Sequence, residues 1–169
     1  MPRFSRTRTA QEPGDPAEPR RWRVTEETTL EVNVWPIWNL LYDPASSRLV
    51  DPSVIPLGRL PGSGPGVGEI QMFLEQTPLR SLTGVVIEEF HPPTHVVYSG
   101  LKPPPLPRLT TEITLTPHSE QLTKIRYSVT GQFFPRMHVD VELWHTDMRK
   151  FIRDYFRKLQ HHLTAPPRP

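Results

Sequence analysis

The sequence predicts an α+β fold, in which an antiparallel sheet is covered on one face by a long C-terminal helix. Between residues 22 and 134, several short segments alternate apolar and polar side chains, as half-buried strands do. Turn-like connections separate these segments, and connections of that length join antiparallel neighbours. Residues 139–163 instead carry apolar side chains at helical spacing. Strands followed by one amphipathic helix indicate a sheet and a helix that pack as two layers.

The first strand is predicted at residues 22–32. Its apolar side chains share one parity and most of its polar side chains take the other, which predicts one buried face. Glu26 and Thr28 break the pattern because they lie on the apolar parity. Glu26 is therefore either solvated at a strand end or a buried acid.

Two short helices are expected after this strand. Asn33 is suited to cap the first helix, Pro36 is compatible with its first turn, and Asp43-Pro44 ends it. A second, shorter helix is expected at residues 46–51. Both helices precede the remaining strands in the chain.

Five more strands are expected before the C-terminal helix, after a glycine-rich loop at residues 61–68. They are residues 70–75, 81–91, 95–101, 109–116 and 121–134. The last of these has the clearest alternation of apolar and polar side chains. Residues 54–68 are expected to form a long connection. Glu88 lies on an apolar parity, and strand twist or a bulge beside Gly84 is expected to turn it outward.

The long helix is predicted at residues 139–163. Its apolar stripe covers roughly 100° of the circumference, and charged side chains cover the opposite side. The stripe consists of Val141, Trp144, His145, Met148, Ile152, Tyr155, Leu159 and Leu163. A stripe of this width is enough for the helix to lie across a sheet.

The folded domain is expected at residues 21–164, between two disordered tails. Residues 1–20 are rich in Arg, Pro and Thr and almost free of apolar side chains, so they bury too little surface to offset their ordering entropy. Residues 165–169 form the second tail. Most of the 22 prolines lie in tails and connections. The proline run at residues 102–107 is favoured as a stiff connector over a cavity lid or a recognition site for an aromatic groove.

Charge and composition exclude several classes of protein. The net charge of +2 comes from residues 1–21, which hold five arginines and three acids, so the domain lacks the basic surface of a nucleic-acid binder. No cysteine is present, which excludes disulfides, thiolate metal sites and thiol catalysis. No apolar run approaches the ~20 residues of a membrane span, and no signal-peptide core is visible. We therefore expect a soluble cytoplasmic protein without stable membrane insertion.

Motifs for metals, nucleotides and hydrolysis are absent from the sequence. No two histidines lie four residues apart on a predicted helix with a supporting carboxylate, and His91 and His95 merely flank the turn at Pro92-Pro93. The glycines at residues 58–68 lack the phosphate-loop and dinucleotide patterns, and there is no nucleophile elbow of a serine hydrolase. Neither a metal nor a cofactor is expected.

Three short motifs occur in the order found in one large superfamily. They are Trp38-Asn-Leu-Leu-Tyr-Asp43 after the first strand, Pro65-Gly-Val-Gly68 before the next, and Glu89-Phe-His-Pro-Pro-Thr-His-Val-Val-Tyr98 across a turn. In this order residues 22–163 resemble the SRPBCC superfamily, which groups START domains, birch-pollen-allergen-like proteins and polyketide cyclase/dehydratases, the last being most similar. The resemblance implies a helix-grip fold, a curved antiparallel sheet wrapped around the C-terminal helix. It also implies a cavity between them for a small apolar ligand.

Strand parity and the helix stripe select the residues that would line this implied cavity. On the strands they are Met72, Leu74, Val86, Tyr98, Ile113, Leu115, Tyr127, Val129 and Phe133. On the helix they are Trp144, His145, Met148, Ile152 and Tyr155. Each is either a ligand contact or an ordinary core residue, because an apolar pocket and an apolar core share the same composition.

Three of these side chains are candidates for catalysis. His145, near the edge of the stripe, is either a general acid or base near neutral pH or a histidine bonded to a backbone carbonyl. Tyr127 and Tyr155 either donate to a ligand carbonyl or are core tyrosines with satisfied hydroxyls. Whether the protein is an enzyme stays open. If it is one, the resemblance implies a cofactor-independent polyketide cyclase/dehydratase activity.

Three functions are compatible with these features. The first is a non-catalytic carrier or sensor of a polyketide-, lipid- or quinone-like molecule, and the second is the cyclase-type enzyme. The third is a protein- or membrane-interaction module that uses Trp35, Trp38 and the basic tail. Both tryptophans are expected to be buried, which counts against the third. The sequence indicates no particular oligomeric state.

Overall fold

The computed structural model describes residues 20–76, 81–101, 109–133 and 140–165. The strands in chain order are β1 (Arg20–Leu30), β2 (Val54–Arg59), β3 (Ile70–Glu75), β4 (Ser81–His91), β5 (His95–Gly100), β6 (Thr110–Ser119) and β7 (Leu122–Phe133). The helices are α1 (Val34–Tyr42), α2 (Ser47–Val50) and α3 (Val141–Thr164), with a 3-10 turn at Pro44–Ser46. All strands pair antiparallel in one curved sheet beside α3, which confirms the predicted helix-grip α+β fold.

The first and last strands lie side by side in the sheet, whose order is β1-β7-β6-β5-β4-β3-β2. β1 therefore forms one edge and β2 the other. The connection that contains α1 and α2 has to cross the sheet to join these edges, and it packs against β6 and α3. Asn33 caps α1 as predicted, since its side chain accepts a hydrogen bond from the backbone N–H of Trp35.

The inner face of the sheet is the face that packs against α3. Trp22, Val24 and Leu30 of β1 are buried on it, as their shared parity predicts. The strand begins at Arg20 and ends at Leu30 instead of spanning residues 22–32. Glu26 also lies on the inner face, in mid-strand, where arginines of α3 meet it.

The connection expected at residues 54–68 contains a strand that the sequence pattern did not reveal. β2 holds Pro56, and its register with β3 shifts between Pro56 and Gly58, where the glycine has φ +97°. Proline lacks the N–H that a central strand must donate, so it is tolerated in an edge strand such as this one. The bulge interrupts the alternation that would otherwise have indicated a strand.

The assignment of Met72, Leu74 and Val86 to the inner face is wrong. Residues 70–74 and 85–87 carry apolar side chains on both parities, so alternation did not distinguish the two faces. The register pairs Gln71 with Val85 on the inner face, and Gln71 is buried there. The three nominated residues consequently lie on the outer face.

A bulge in β4 sets the orientation of its last residues. The register with β5 shifts between Ile87 and Glu89, which leaves Glu88 as the extra, exposed residue. The expected outward position of Glu88 is therefore confirmed, with the bulge at Glu88 itself instead of beside Gly84. Beyond the bulge, Phe90 returns to the inner face while Glu89 and His91 point outward.

The C-terminal helix begins at Val141, and Asp140 caps it by accepting a hydrogen bond from Leu143 N. Ile152 and Leu159 are fully buried against the sheet, and Phe156, which the predicted stripe omitted, is buried beside them.

Residue 139, the predicted start of this helix, lies outside the described residues, as do residues 1–19, the proline run at 102–107 and residues 166–169. No helix among the described residues is long and apolar enough to cross a membrane.

Candidate functional site

The layer between the inner face and α3 contains side chains that are central but not fully packed. Tyr127 of β7 pairs with Glu26 of β1 and with Ile113 of β6, so it lies in the interior of the sheet. Its ring meets Tyr155 of α3 at a centroid distance of 5.4 Å. Both tyrosines retain intermediate exposure. Both side chains therefore keep some accessible surface although they lie in the middle of the layer.

The sequence-predicted lining residues, apart from the three on the outer face, lie around this layer. Those that are buried are Tyr98, Ile113, Leu115, Val129, Phe133 and Ile152. Those with intermediate exposure are Tyr127, Trp144, His145, Met148 and Tyr155. The partly exposed set is concentrated on the first half of α3 and on the strand facing it. That part of the layer is the candidate site.

Three polar atoms at this site are buried and have no hydrogen-bond partner among the residues that the structure describes. They are Nε1 of Trp22, Nε1 of Trp144 and Nε2 of His145. The two indole rings meet edge to face at 5.4 Å, and the ring of Phe133 packs against both. A buried N–H left unpaired costs about 1–3 kcal/mol. Two such indole donors on neighbouring rings are suited to an oxygen atom of a bound molecule.

The tyrosine hydroxyls of this layer are neutral donors. Burial raises the pKa of Tyr127 to about 12, against a weaker opposing effect of its hydrogen bond with Thr111. Burial also raises the pKa of Tyr98 and of Tyr155. Tyr98 already donates to the backbone oxygen of Leu41 at 3.3 Å. At neutral pH such phenols donate a hydrogen bond to a carbonyl oxygen, but they do not serve as bases.

Glu26 lies at the border of this layer and is paired with α3. Arg153 donates from Nε at 2.9 Å and from Nη2 at 3.2 Å to its two carboxylate oxygens. Arg149 Nε lies 3.9 Å away. Glu26 is therefore neither at a strand end nor unpaired. Its departure from the apolar parity is explained by arginines that reach inward from the charged side of the helix.

A second polar group, the Glu69 cluster, consists of Glu69, Tyr42, Arg59 and Gln71. Glu69 is fully buried at the start of β3. Tyr42 donates its hydroxyl to Glu69 Oε2 at 2.5 Å. Arg59 Nε and Gln71 Nε2 each donate to Oε1 at 2.8 Å. The backbone N–H of Gly66 adds a contact to Oε2 at 3.3 Å, so the cluster ties the glycine loop to α1 and β2.

The electrostatics of this cluster keep its carboxylate charged. Burial by itself raises the pKa of Glu69, but the hydrogen bonds from Tyr42, Gln71 and Arg59 outweigh burial and lower it overall. Burial and the neighbouring carboxylate raise the pKa of Tyr42. A carboxylate saturated by donors is a poor base, which favours an architectural role. Sequence reasoning missed the cluster because Glu69 and Gln71 have the pattern of exposed strand residues.

The two tryptophans of α1 have different environments. Trp38 is buried against Tyr42 and Phe90, as expected, whereas Trp35 is 52% exposed. An open cleft of about 510 Å³ lies between α1 and the end of α3. The expectation that both tryptophans are buried is thus wrong for Trp35.

No family model matches the sequence, and no curated protein matches it. Solved structures do match in fold. Ara h 8.0201 has a TM-score of 0.67 and 15% identity over 87% of this chain and 100% of its own. A START superfamily protein from Mycobacterium smegmatis has a TM-score of 0.66 and 8% identity over 83% and 96% of the two chains.

A third neighbour is the di-domain ARO/CYC StfQ from the steffimycin biosynthetic pathway. It has a TM-score of 0.67 and 16% identity, and the match covers 85% of this chain and 51% of StfQ. At these identities the likeness establishes the fold. The likeness therefore confirms the helix-grip fold that the three sequence motifs implied.

Proposed function

We propose that the protein binds a small apolar or amphipathic molecule between the sheet and α3. The observation that carries this proposal is a set of buried atoms on Trp22, Trp144 and His145 for which the described part of the chain offers no partner. Partly accessible apolar side chains lie in the same layer. Small-molecule sites are typically apolar with a few polar groups that orient the ligand. The ligand in this proposal has an apolar body and a carbonyl or hydroxyl oxygen, as polyketides, quinones and many lipids do.

Native mass spectrometry of freshly purified protein tests for a retained ligand, with a denatured sample to identify the released compound. Binding of quinones, fatty acids and aromatic polyketides is then followed by tryptophan fluorescence. Trp22→Phe removes an indole N–H but keeps an aromatic ring, and one net hydrogen bond of about 0.5–1.5 kcal/mol predicts a 2- to 13-fold weaker affinity. Trp35→Phe, at an exposed position, is the matched control.

Two results would contradict the proposal that a ligand binds in this layer. If the protein carries no compound and its fluorescence responds to none of these ligands, binding between the sheet and α3 is rejected. Equal affinities of the Trp22→Phe and Trp35→Phe proteins would instead reject the placement of the ligand oxygen at the indoles.

A cyclase-type reaction is the second candidate, and it is favoured by the buried His145 Nε2, for which the described residues supply no partner, together with neutral phenols in the same layer. In such a reaction a methylene between two carbonyls loses a proton to a base, and its carbon bonds to another carbonyl carbon. That oxygen takes up a proton, and loss of water completes a dehydration. His145 is the proposed base, and Tyr127 or Tyr155 is the proposed donor to the oxygen. The fold neighbour StfQ, an ARO/CYC, supports this candidate.

The reaction is tested with a synthetic poly-β-ketone thioester, with product formation followed by liquid chromatography. We expect His145→Ala and Tyr127→Phe to lower kcat at least tenfold while the Kd for an unreactive aromatic analogue stays within threefold. If the wild-type protein does not raise the rate of cyclisation above the uncatalysed rate, the enzyme proposal is rejected and only the ligand-binding proposal remains.

A further inference from the structure

The outer face of the β4–β5 hairpin brings together three side chains that ligate metals. His91 and His95 are directly paired across the antiparallel strands, and their rings lie parallel with centroids 6.0 Å apart. Glu89 lies on the same face of β4 as His91, because side chains two residues apart along a strand point to the same side. One donor atom from each of the three residues lies within 4.8 Å of the others.

The hairpin turn holds these side chains in place. Thr94 donates from its backbone N–H to the oxygen of His91 at 2.8 Å, and its hydroxyl contacts the same oxygen at 3.2 Å. The oxygen of Thr94 in turn accepts from Leu115 N of β6 at 2.7 Å. The turn is thus tied to a neighbouring strand, and little ordering is required for the two imidazoles to act together.

His95 is also flanked by two carboxylates, one at each ring nitrogen. Its Nδ1 lies 3.7 Å from Glu89 Oε2, and its Nε2 lies 3.6 Å from Glu112 Oε1. Glu112 is itself held by Arg23, whose Nη2 is 2.6 Å from the other carboxylate oxygen. Each carboxylate favours a proton on the ring nitrogen that it faces, so Glu112 opposes Glu89 and increases the share of the tautomer that has its lone pair on Nδ1.

We propose that this face binds a divalent transition-metal ion of the Zn²⁺ type through His91, His95 and Glu89, with Glu112 as the positioning residue for His95. Two imidazoles and one carboxylate form a donor set that suits Zn²⁺ and leaves a fourth position open to water or another ligand. Donor atoms around tetrahedral zinc lie about 3.3 Å apart. The observed separations reach that value by small rotations of side chains at the protein surface.

Helical spacing does not apply to these histidines, because the two face each other across a hairpin. The proposed metal site is separate from the ligand site, since the inner-face residues Phe90 and Val96 lie on the opposite side of the same strands. The two proposals therefore succeed or fail independently.

The test is a titration of untagged, metal-depleted protein with Zn²⁺ in competition with a chromogenic chelator. We expect one equivalent to bind, and His95→Ala or His91→Ala to weaken the affinity at least tenfold. His118→Ala, at an exposed histidine of the next hairpin, is the matched control and should leave the affinity unchanged. Zn²⁺ should also shift the imidazole NMR signals of His91 and His95 but not that of His118.

Glu112→Gln tests the positioning role. Loss of a carboxylate behind a metal-bound histidine typically costs 10- to 100-fold in affinity. The ¹⁵N shifts of the His95 ring should at the same time report a changed tautomer in the metal-free protein, which a merely structural residue would not cause.

Two results would overturn the proposal. The first is failure of the wild-type protein to compete with the chelator at micromolar Zn²⁺. The second is binding that persists in a His91→Ala/His95→Ala protein and disappears when His161 and His162 are both replaced by Ala, which would assign the ion to the end of α3.

Discussion

Replacing Glu69 with glutamine keeps the shape of the buried side chain. It also turns one of the two hydrogen-bond acceptors of that side chain into a donor. The carboxylate accepts from donors on both of its oxygens, and Glu69 is 0% exposed. In Glu69→Gln, one oxygen becomes an NH₂ group. That group then faces either the Arg59 and Gln71 donors or the hydroxyl of Tyr42 and the N–H of Gly66.

The expected loss follows from the contacts that the amide cannot make. Hydrogen bonds to charged groups are worth about 1.5–3 kcal/mol each, and a buried donor left unpaired costs about 1–3 kcal/mol. Tyr42 can turn its hydroxyl to accept, and Arg59, whose side chain is 40% exposed, can recover part of its interaction from water. We therefore expect the free energy of unfolding to fall by about 2–4 kcal/mol, which is roughly 5–12 °C in Tm.

Urea unfolding followed by tryptophan fluorescence measures this loss, because the buried indole of Trp38 stacks on Tyr42. Glu31→Gln is the matched control, since Glu31 is exposed and should change the free energy by less than about 0.5 kcal/mol. Indistinguishable midpoints and slopes for the two variants would refute the reasoning.

The difference in the free energy of unfolding between wild type and Glu69→Gln should depend on pH, and the pKa of Glu69 sets its sign. The folded-state pKa of Glu69 is lowered from the usual value of 4.5, so the folded protein holds this proton less tightly than the unfolded chain. Its contribution to stability is thus fully present above pH 4.5 and is lost as the pH falls through the lower folded value. The difference between wild type and Glu69→Gln should shrink over that acidic interval, and a difference that grows there would contradict the assignment.

Three further substitutions are measured by the same unfolding experiment. In Gly131→Ala, the new Cβ would lie 2.5 Å from the Trp22 ring, so we expect a loss of about 1–3 kcal/mol. Gly64→Ala, with no atom within 4 Å, should be neutral, and equal effects would refute the steric argument. Ile152→Ala removes a fully buried side chain and should cost about 2–5 kcal/mol, far more than Phe151→Ala at a 46% exposed position. Asn33→Ala removes the cap of α1 and should cost about 1 kcal/mol, and an unchanged midpoint would show that the cap is dispensable.

Local signals were sufficient for most of the elements. Three features follow from interactions within a few residues of the chain: the buried face of β1, the Asn33 cap of α1 and the apolar stripe of α3. Alternation, cap chemistry and helical spacing describe such interactions directly. The same kind of signal failed at β2, where Pro56 and a bulge interrupt the pattern of an edge strand.

The faces of β3 and β4 were decided by partners that the local pattern does not contain. Apolar residues occupy both parities there, so only the pairing of Gln71 with Val85 shows which side meets α3. A one-residue bulge at Glu88 then reverses the parity of the strand end. Register and bulges depend on the neighbouring strand, and for this reason Met72, Leu74 and Val86 were assigned to the wrong face.

The sequence by itself determined the order of every strand and helix except β2, the amphipathic stripe of the last helix and, through three short motifs, the helix-grip fold. Only the tertiary structure decided which polar side chains meet. Glu69 bonds to Tyr42, which lies 27 residues away in the sequence, and Glu26 bonds to Arg153, which lies 127 residues away. The hairpin places His91 opposite His95. Backbone propensity and hydrophobic periodicity are properties of neighbouring residues, whereas hydrogen bonds and metal ligands depend on distances that exist only after the sheet has closed around its helix.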